Sequence, residues 1–203
     1  AYAIAELIDN SIQAGATDVQ LICFERDVRG TQRVSSQIES IAVFDNGSGM
    51  DKETFVKALQ FGNGTHLTKE TQDGIGRFGM GLPSASISQA KKVEVYTWQD
   101  GVEHALYSYL DVDEIAGGML TEIPEPEHRA LPEIYSYLNG LNLHVPSGTL
   151  VIWNKIDRCS WKSARPLIEN SEFLIGRIYR YFIDDSSVKI RMFVYNLNRR
   201  EIG

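Results

Sequence analysis

Gly74-Ile75-Gly76-Arg77-Phe78-Gly79-Met80-Gly81 is the densest glycine run in the chain, and it leads straight into a segment of helical character at about 82–89. Glycines that empty into a helix N-terminus aim backbone N–H groups and the positive end of the helix dipole at an anion, phosphate above all. Two common phosphate loops do not fit. A dinucleotide fold needs Gly-x-Gly-x-x-Gly directly after a buried strand, with an acid about 20 residues on. Glu94 satisfies the acid, but 65–73 (THLTKETQD) is too polar to be that strand. A P-loop needs Gly-Lys-Ser/Thr, which the chain lacks. A plain linker is disfavoured because Ile75, Phe78, Met80 and Leu82 interleave the glycines and give the segment something to pack with. The whole of 61–81 is polar and glycine-rich, and so long a loop inside a compact domain usually serves as a lid or binding segment.

Outward from this run, the pattern predicts an α/β layered domain with helices on one face of a mixed sheet. Toward the C-terminus, Pro83 is tolerated in the first helical turn. KVEVYTW (92–98) and EHALYSYL (103–110) read as a hairpin across Gln99-Asp100-Gly101. GTLVIW (148–153) reads as a buried strand, 111–147 as irregular, 165–183 as a helix and 187–195 as a strand. Toward the N-terminus, Ile4, Leu7, Ile8 and Ile12 recur at helical spacing opposite Glu6, Asp9, Asn10 and Gln13, and Gly15 closes the helix. DVQLICFE (18–25) and SIAVF (40–44) predict paired strands joined by a polar loop at 27–37. Asp51 is placed to cap a helix to about Gln60 that turns Phe55, Val56 and Leu59 inward. There is no internal repeat.

Three further groups carry possible chemistry. Glu6 and Asn10, four residues apart, share a helix face, which suits either a solvated stripe or a carboxylate base beside a magnesium-binding amide. Asp45-Asn46-Gly47-Ser48-Gly49 sets an acid at the end of an apolar strand, followed by glycines that let a flat ligand approach; it also suits an ordinary turn. Thr149, at the start of a strand, reads alone as β-propensity. His66, His104, His128 and His144 have no metal-ligand spacing.

Composition limits the alternatives. The 203 residues are 43% hydrophobic with a net charge of −7, and no apolar run reaches the roughly 20 residues of a membrane span. Cys23 and Cys159 form no C-x-x-C, so a reducing cytoplasmic setting is the expectation. Residues 1–160 hold 12 basic against 22 acidic groups and 161–203 hold 8 against 5, so the acidic body is a poor match for bare nucleic acid. The opening residues already read as the inside of a helix, which suggests a piece of a longer protein.

Glu6-Leu7-Ile8-Asp9-Asn10, Asp45 to Met50, Gly74 to Gly81 and Ser147-Gly148-Thr149, taken in this order, resemble the four motifs of the GHKL ATPases: gyrase, Hsp90-type chaperones, histidine kinases and MutL. The resemblance covers about 1–155, and Phe78-Gly79-Met80-Gly81-Leu82 with Leu59-Gln60-Phe61-Gly62 is closest in wording to the MORC-like branch. MORC proteins usually carry a lysine in the helix after the last glycine, where this chain has Pro83 and Ser84.

The resemblance implies a Bergerat fold, a two-layer sandwich with a glycine-rich ATP lid, and ATP and Mg2+ as cofactors. It makes Glu6 the general base, Asn10 the magnesium ligand and Asp45 the acceptor of the adenine amino group. Thr149 assists adenine, and Gly47, Gly49 and Met50 contact the nucleotide. Gly74, Gly76, Gly79 and Gly81 form the phosphate turn, with Arg77, Phe78 and Met80 among its contacts.

It further implies an ATP-binding domain at 1–160, a connection at 161–203 toward a coupling domain that supplies the γ-phosphate cation, and a nucleotide-dependent homodimer. Nucleic acid would be met only through other domains, and membranes not at all. A nucleotide-responsive interaction module and a histidine-kinase-type phosphotransfer domain are the alternatives.

Overall fold

The apolar stripe of Ile4, Leu7 and Ile8, joined by Ala5 and Ser11, is buried in helix α1, Tyr2–Gln13. In this computed structural model residues 2–29, 34–60, 81–138 and 143–202 are described. Strands β1 (Asp18–Arg29) and β2 (Val34–Asp45) follow as an antiparallel pair, in register from Val19 opposite Asp45 to Arg29 opposite Val34, with a bulge at Phe24/Glu25. The segment 27–37, read from sequence as a loop, therefore lies largely within these strands. Its ladder runs on past the core, where both faces meet water, so no apolar alternation marks it.

Helix α2 (Lys52–Leu59) starts at Asp51, whose carboxylate accepts the Thr54 N–H at 2.8 Å, and it buries Phe55 and Leu59 while Val56 stays half-buried. Helix α3 is Gly81–Ile87, so Gly81 is its first residue. Strand β3 (Ala90–Trp98) and β4 (Leu106–Asp111) form the expected hairpin, with a 3-10 turn at Val102–His104 where the sequence suggested strand. The stretch 111–147 contains α4 (Val112–Ala116), the two-residue strand β5 (Glu127–His128) and a 3-10 turn at Glu133–Tyr137. Strand β6 is Gly148–Ile156.

The helical reading of 165–183 resolves into α5 (Ala164–Ile178) and α6 (Arg180–Asp184), broken at Tyr179. The Ser163 side chain makes no capping bond; instead the buried Glu25 carboxylate, from β1, accepts the Ala164 N–H at the start of α5. Strands β7 (Lys189–Asn196) and β8 (Glu201–Ile202) complete the sheet.

Strand order is β5-β4-β3-β6-β2-β1-β7-β8, antiparallel except for β1 with β7. Strand β7 runs the same way as β6, and α5 and α6 supply the crossover that such a connection needs. The two faces of the sheet differ. Val19, Leu21, Ile41, Val43, Val93, Val95, Val151 and Trp153 pack beneath α1, α2 and α5. The opposite face is aromatic, with Phe24, Phe44, Tyr96, Trp98 and Tyr107 packed with Tyr135, Leu138 and Leu143. Helices thus cover one face of a mixed sheet, as the sequence predicts.

Candidate functional site

Strand alternation decides what the sheet offers its helices. In β2, Ile41 and Val43 face the helical layer, so Asp45, two residues on, faces it too. The same parity holds for Thr149 before Val151 and for Thr97 after Val95. Asp45 pairs with Thr149, and Thr149 with Thr97, so one carboxylate and two hydroxyls form a row across β2, β6 and β3. All three are buried.

Asp45 is held on both oxygens. The Gly47 N–H donates to Oδ1 at 2.9 Å, and the Ser11 hydroxyl from α1 lies 2.9 Å from Oδ2 and 3.0 Å from the Leu7 carbonyl. Burial nonetheless wins: it pushes the Asp45 carboxyl up from 3.8 to about 6, against the lowering effect of those two hydrogen bonds.

Thr97 is the residue that sequence reasoning missed. Its hydroxyl oxygen accepts the Met50 N–H at 2.9 Å, and it lies 3.2 Å from the Gly148 carbonyl and 3.3 Å from the Thr149 hydroxyl. It ties the turn after β2 to the ends of β3 and β6. Only its place at the end of an apolar strand hinted at this, and a register is needed to see it.

The turn from Asp45 to Met50 is built as the glycines suggest. Gly49 has φ +64, and a Cβ there would lie 2.0 Å from the Trp98 carbonyl oxygen, so the close approach to β3 requires glycine. Asn46 serves the fold, its Oδ1 accepting the N–H groups of Thr17 and Asp18 at 2.9 and 2.8 Å.

Glu6 and Asn10, both half-buried, project from α1. The Glu6 carboxylate lies against Gly81: a Cβ on that glycine would fall 2.3 Å from Glu6 Oε1. The base candidate of the first motif thus meets the last glycine of the third. Gly74, Gly76, Arg77, Phe78, Gly79 and Met80, and with them the lid and His66, lie outside the described residues.

The structure brings together Asp45, Gly47, Gly49, Met50 and Thr149 on the sheet side, and Glu6 and Gly81 between α1 and α3. Among the described residues no group of three His, Cys, Asp or Glu side chains could hold a metal ion. A lone amide such as Asn10 suits Mg2+, which keeps waters and takes substrate phosphates as its other ligands. No described helix is long and apolar enough to cross a membrane, and Cys23 and Cys159 are free thiols.

Residues 1–135 match a family model described as histidine kinase-, DNA gyrase B- and HSP90-like ATPase. The chain is similar to the ATPase MORC2B of Mus musculus, with 33% identity over 106 residues, 52% of this chain and 10% of that protein. It is 31% identical over 106 residues to the ATPase MORC2 of Homo sapiens, with the same shares covered. With the ATPase morc-1 of Caenorhabditis elegans the identity is 31% over 104 residues, 51% of this chain and 11% of that protein. The aligned part thus covers only 10% or 11% of these relatives' length. Among solved structures, a crystal structure of the N-terminal domain of a DNA repair protein superposes with a TM-score of 0.54 at 18% identity, over 99% of this chain and 50% of that one; it speaks to fold alone.

Proposed function

The chain belongs to the histidine kinase-, DNA gyrase B- and HSP90-like ATPase family, in its MORC-like branch and with its two-layer α/β fold, and from that premise we propose that it binds Mg-ATP and hydrolyses it. The observation that carries this reading is the buried Asp45 carboxylate, set in a row with Thr149 and Thr97 under the helix that bears Glu6 and Asn10.

In this reading Asp45 accepts a hydrogen bond from the exocyclic amine of adenine, and the Thr149 hydroxyl assists beside it. Gly47, Gly49 and Met50 form the wall that the ring slides against. Asn10 would hold Mg2+ through its amide oxygen, and the ion, when bound, would supply stabilisation of negative charge on the phosphates. Glu6 orients a water and takes its proton as the water oxygen bonds to the γ-phosphorus and the bond to the ADP oxygen breaks, giving ADP and phosphate. Oriented backbone donors suit a triphosphate better than a basic surface does, which is how a chain of net charge −7 can bind one.

The glycines 74, 76, 79 and 81, with Arg77, Phe78 and Met80, close over the phosphates, and closure drives dimerisation of the larger protein. Nucleotide binding is assigned to 1–160, and 161–203 leads toward a coupling domain. The test is Glu6→Ala in the full-length protein, followed by calorimetry with ATP and Mg2+ and by phosphate release. Retained binding with lost hydrolysis is expected. Turnover equal to wild type refutes the base assignment, and absence of ATP binding in the wild type refutes the whole reading.

A further inference from the structure

Tyr179 stands at the corner between α5 and α6, and its side chain reaches the helix on which the hydrolytic reading depends. It is only 2% exposed. Its hydroxyl donates to Asp9 Oδ1 at 2.6 Å and lies 2.8 Å from the Ala5 carbonyl oxygen. Ala5 and Asp9 are one helical turn apart, and the residues directly after them are Glu6 and Asn10. A helix held at two successive levels by one phenol is fixed both in rotation and in depth. The Glu6 carboxylate in turn lies against Gly81 with no room for a methyl group between them.

The phenol is kept as a donor. Burial, the hydrogen bond to Asp9 and the charges of Asp9 and Glu6 all raise its pKa, so it stays protonated. A purely packing role would be filled by the ring, since the buried stripe of α5 (Ala164, Leu167, Ser171, Ile175) already runs into this position. The hydroxyl adds something that packing does not need: an oriented bond to the turn of α1 that carries both polar site residues.

We infer that Tyr179 is a positioning residue for ATP hydrolysis, setting the placement of Glu6 through its bond to Asp9. The α5–α6 corner thereby becomes part of the device that aligns the attacking water. The inference rests on the reading of Glu6 as the base. A displacement of even about 1 Å in such a group can cost up to about 100-fold in rate.

The experiment compares Tyr179→Phe, Asp9→Ala, Asp9→Asn, the Tyr179→Phe/Asp9→Ala double variant and Glu6→Ala in the full-length protein, each checked for folding by circular dichroism. Tyr179→Phe is expected to lower kcat by about 10- to 100-fold with KM for ATP within about twofold. Asp9→Ala, which leaves the phenol its contact with the Ala5 carbonyl, should lower kcat in the same way by no more than Tyr179→Phe does, and the double variant should be no worse than Tyr179→Phe alone, because that change already removes the bond to Asp9. Asp9→Asn keeps an acceptor for the phenol and should retain near wild-type kcat.

A Tyr179→Phe protein with wild-type kcat, a loss confined to KM, or losses that multiply in the double variant overturns the inference. If Tyr179→Phe does not fold, the contrast between Asp9→Ala and Asp9→Asn decides: equal kcat in the two overturns the inference, and loss only in the alanine variant upholds it. Glu6→Ala separates the levels. If it turns over like wild type, the base assignment fails and takes the inference with it; if it is inactive while Tyr179→Phe is unimpaired, the inference alone fails.

Discussion

Replacing Asp45 by asparagine should stabilise the domain and disable its nucleotide site, two effects of opposite sign from one atom. The wild-type carboxyl is pushed up by burial from 3.8 to about 6. At about 1.4 kcal/mol for each tenfold change in proton affinity, keeping it ionised in the fold costs about 3 kcal/mol at neutral pH. The sign follows from proton counts. Between about pH 4 and pH 6 the folded state holds more protons than the unfolded one, so wild-type stability declines as pH rises through that window and stays lowered above it.

Asparagine has no such slope. Its Oδ1 still accepts the Gly47 N–H, and its amide can donate to the Ser11 oxygen, so the geometry at 2.9 Å on each side is preserved. Allowing about 1 kcal/mol for weaker neutral bonds, Asp45→Asn should be more stable by about 2 kcal/mol at pH 7.5, or roughly 4–8 °C in Tm for a chain of this size. The gap should close toward pH 4.

ATP affinity should fall by roughly 10- to 150-fold, the worth of one hydrogen bond to a charged acceptor. Thermal melts of both proteins from pH 4 to pH 8, with and without Mg-ATP, read all three quantities. A variant less stable than wild type at pH 7.5, or a gap that does not change with pH, refutes the burial argument; equal ATP affinity refutes the adenine role.

Gly81→Ala would set a methyl group 2.3 Å from Glu6 Oε1, the far end of a flexible side chain. Glu6 should swing aside, leaving stability within about 1 kcal/mol of wild type while phosphate release falls and calorimetric ATP binding persists. Thr97→Val removes the acceptor of the Met50 N–H. Urea unfolding should show a loss of about 1–3 kcal/mol, and Thr97→Ser should restore most of it.

The site was legible where chemistry is local in sequence. Asp45 to Gly49 announces an acid and a turn in five residues, and Glu6 with Asn10 needs only the helical period. Thr149 becomes a candidate through resemblance alone, because a threonine opening a strand is unremarkable until Asp45 is seen opposite it. Thr97 and Tyr179 escaped for a related reason: their partners lie 47 and 170 residues away. In the tail, 165–183 reads as one helix, yet its apolar Ile178 and Phe182 are 44% and 40% exposed, and the buried stripe ends on Tyr179. The chain turns there, and apolar spacing cannot tell a continuous helix from one that bends around a buried phenol. The extended arm of β1 and β2 was misread because solvent on both sides erases the alternation by which strands are recognised.

The parallel pairing of β1 with β7 has a consequence for how the protein is made. Asp18 and Arg191, joined side chain to side chain across that pairing, are 173 residues apart in sequence. During synthesis, the stretch with Val19, Leu21, Ile22 and Cys23 has one flank waiting for a neighbour that emerges only after β2 to β6 and the crossover helices have been made. Open strand edges of this kind recruit strands from other chains, and pairings so distant form slowly. A form shortened to residue 160 would keep every nucleotide motif and leave that edge open for good. Shortened versions intended to stay dispersed should therefore run through Asn196, where the ladder with β1 ends.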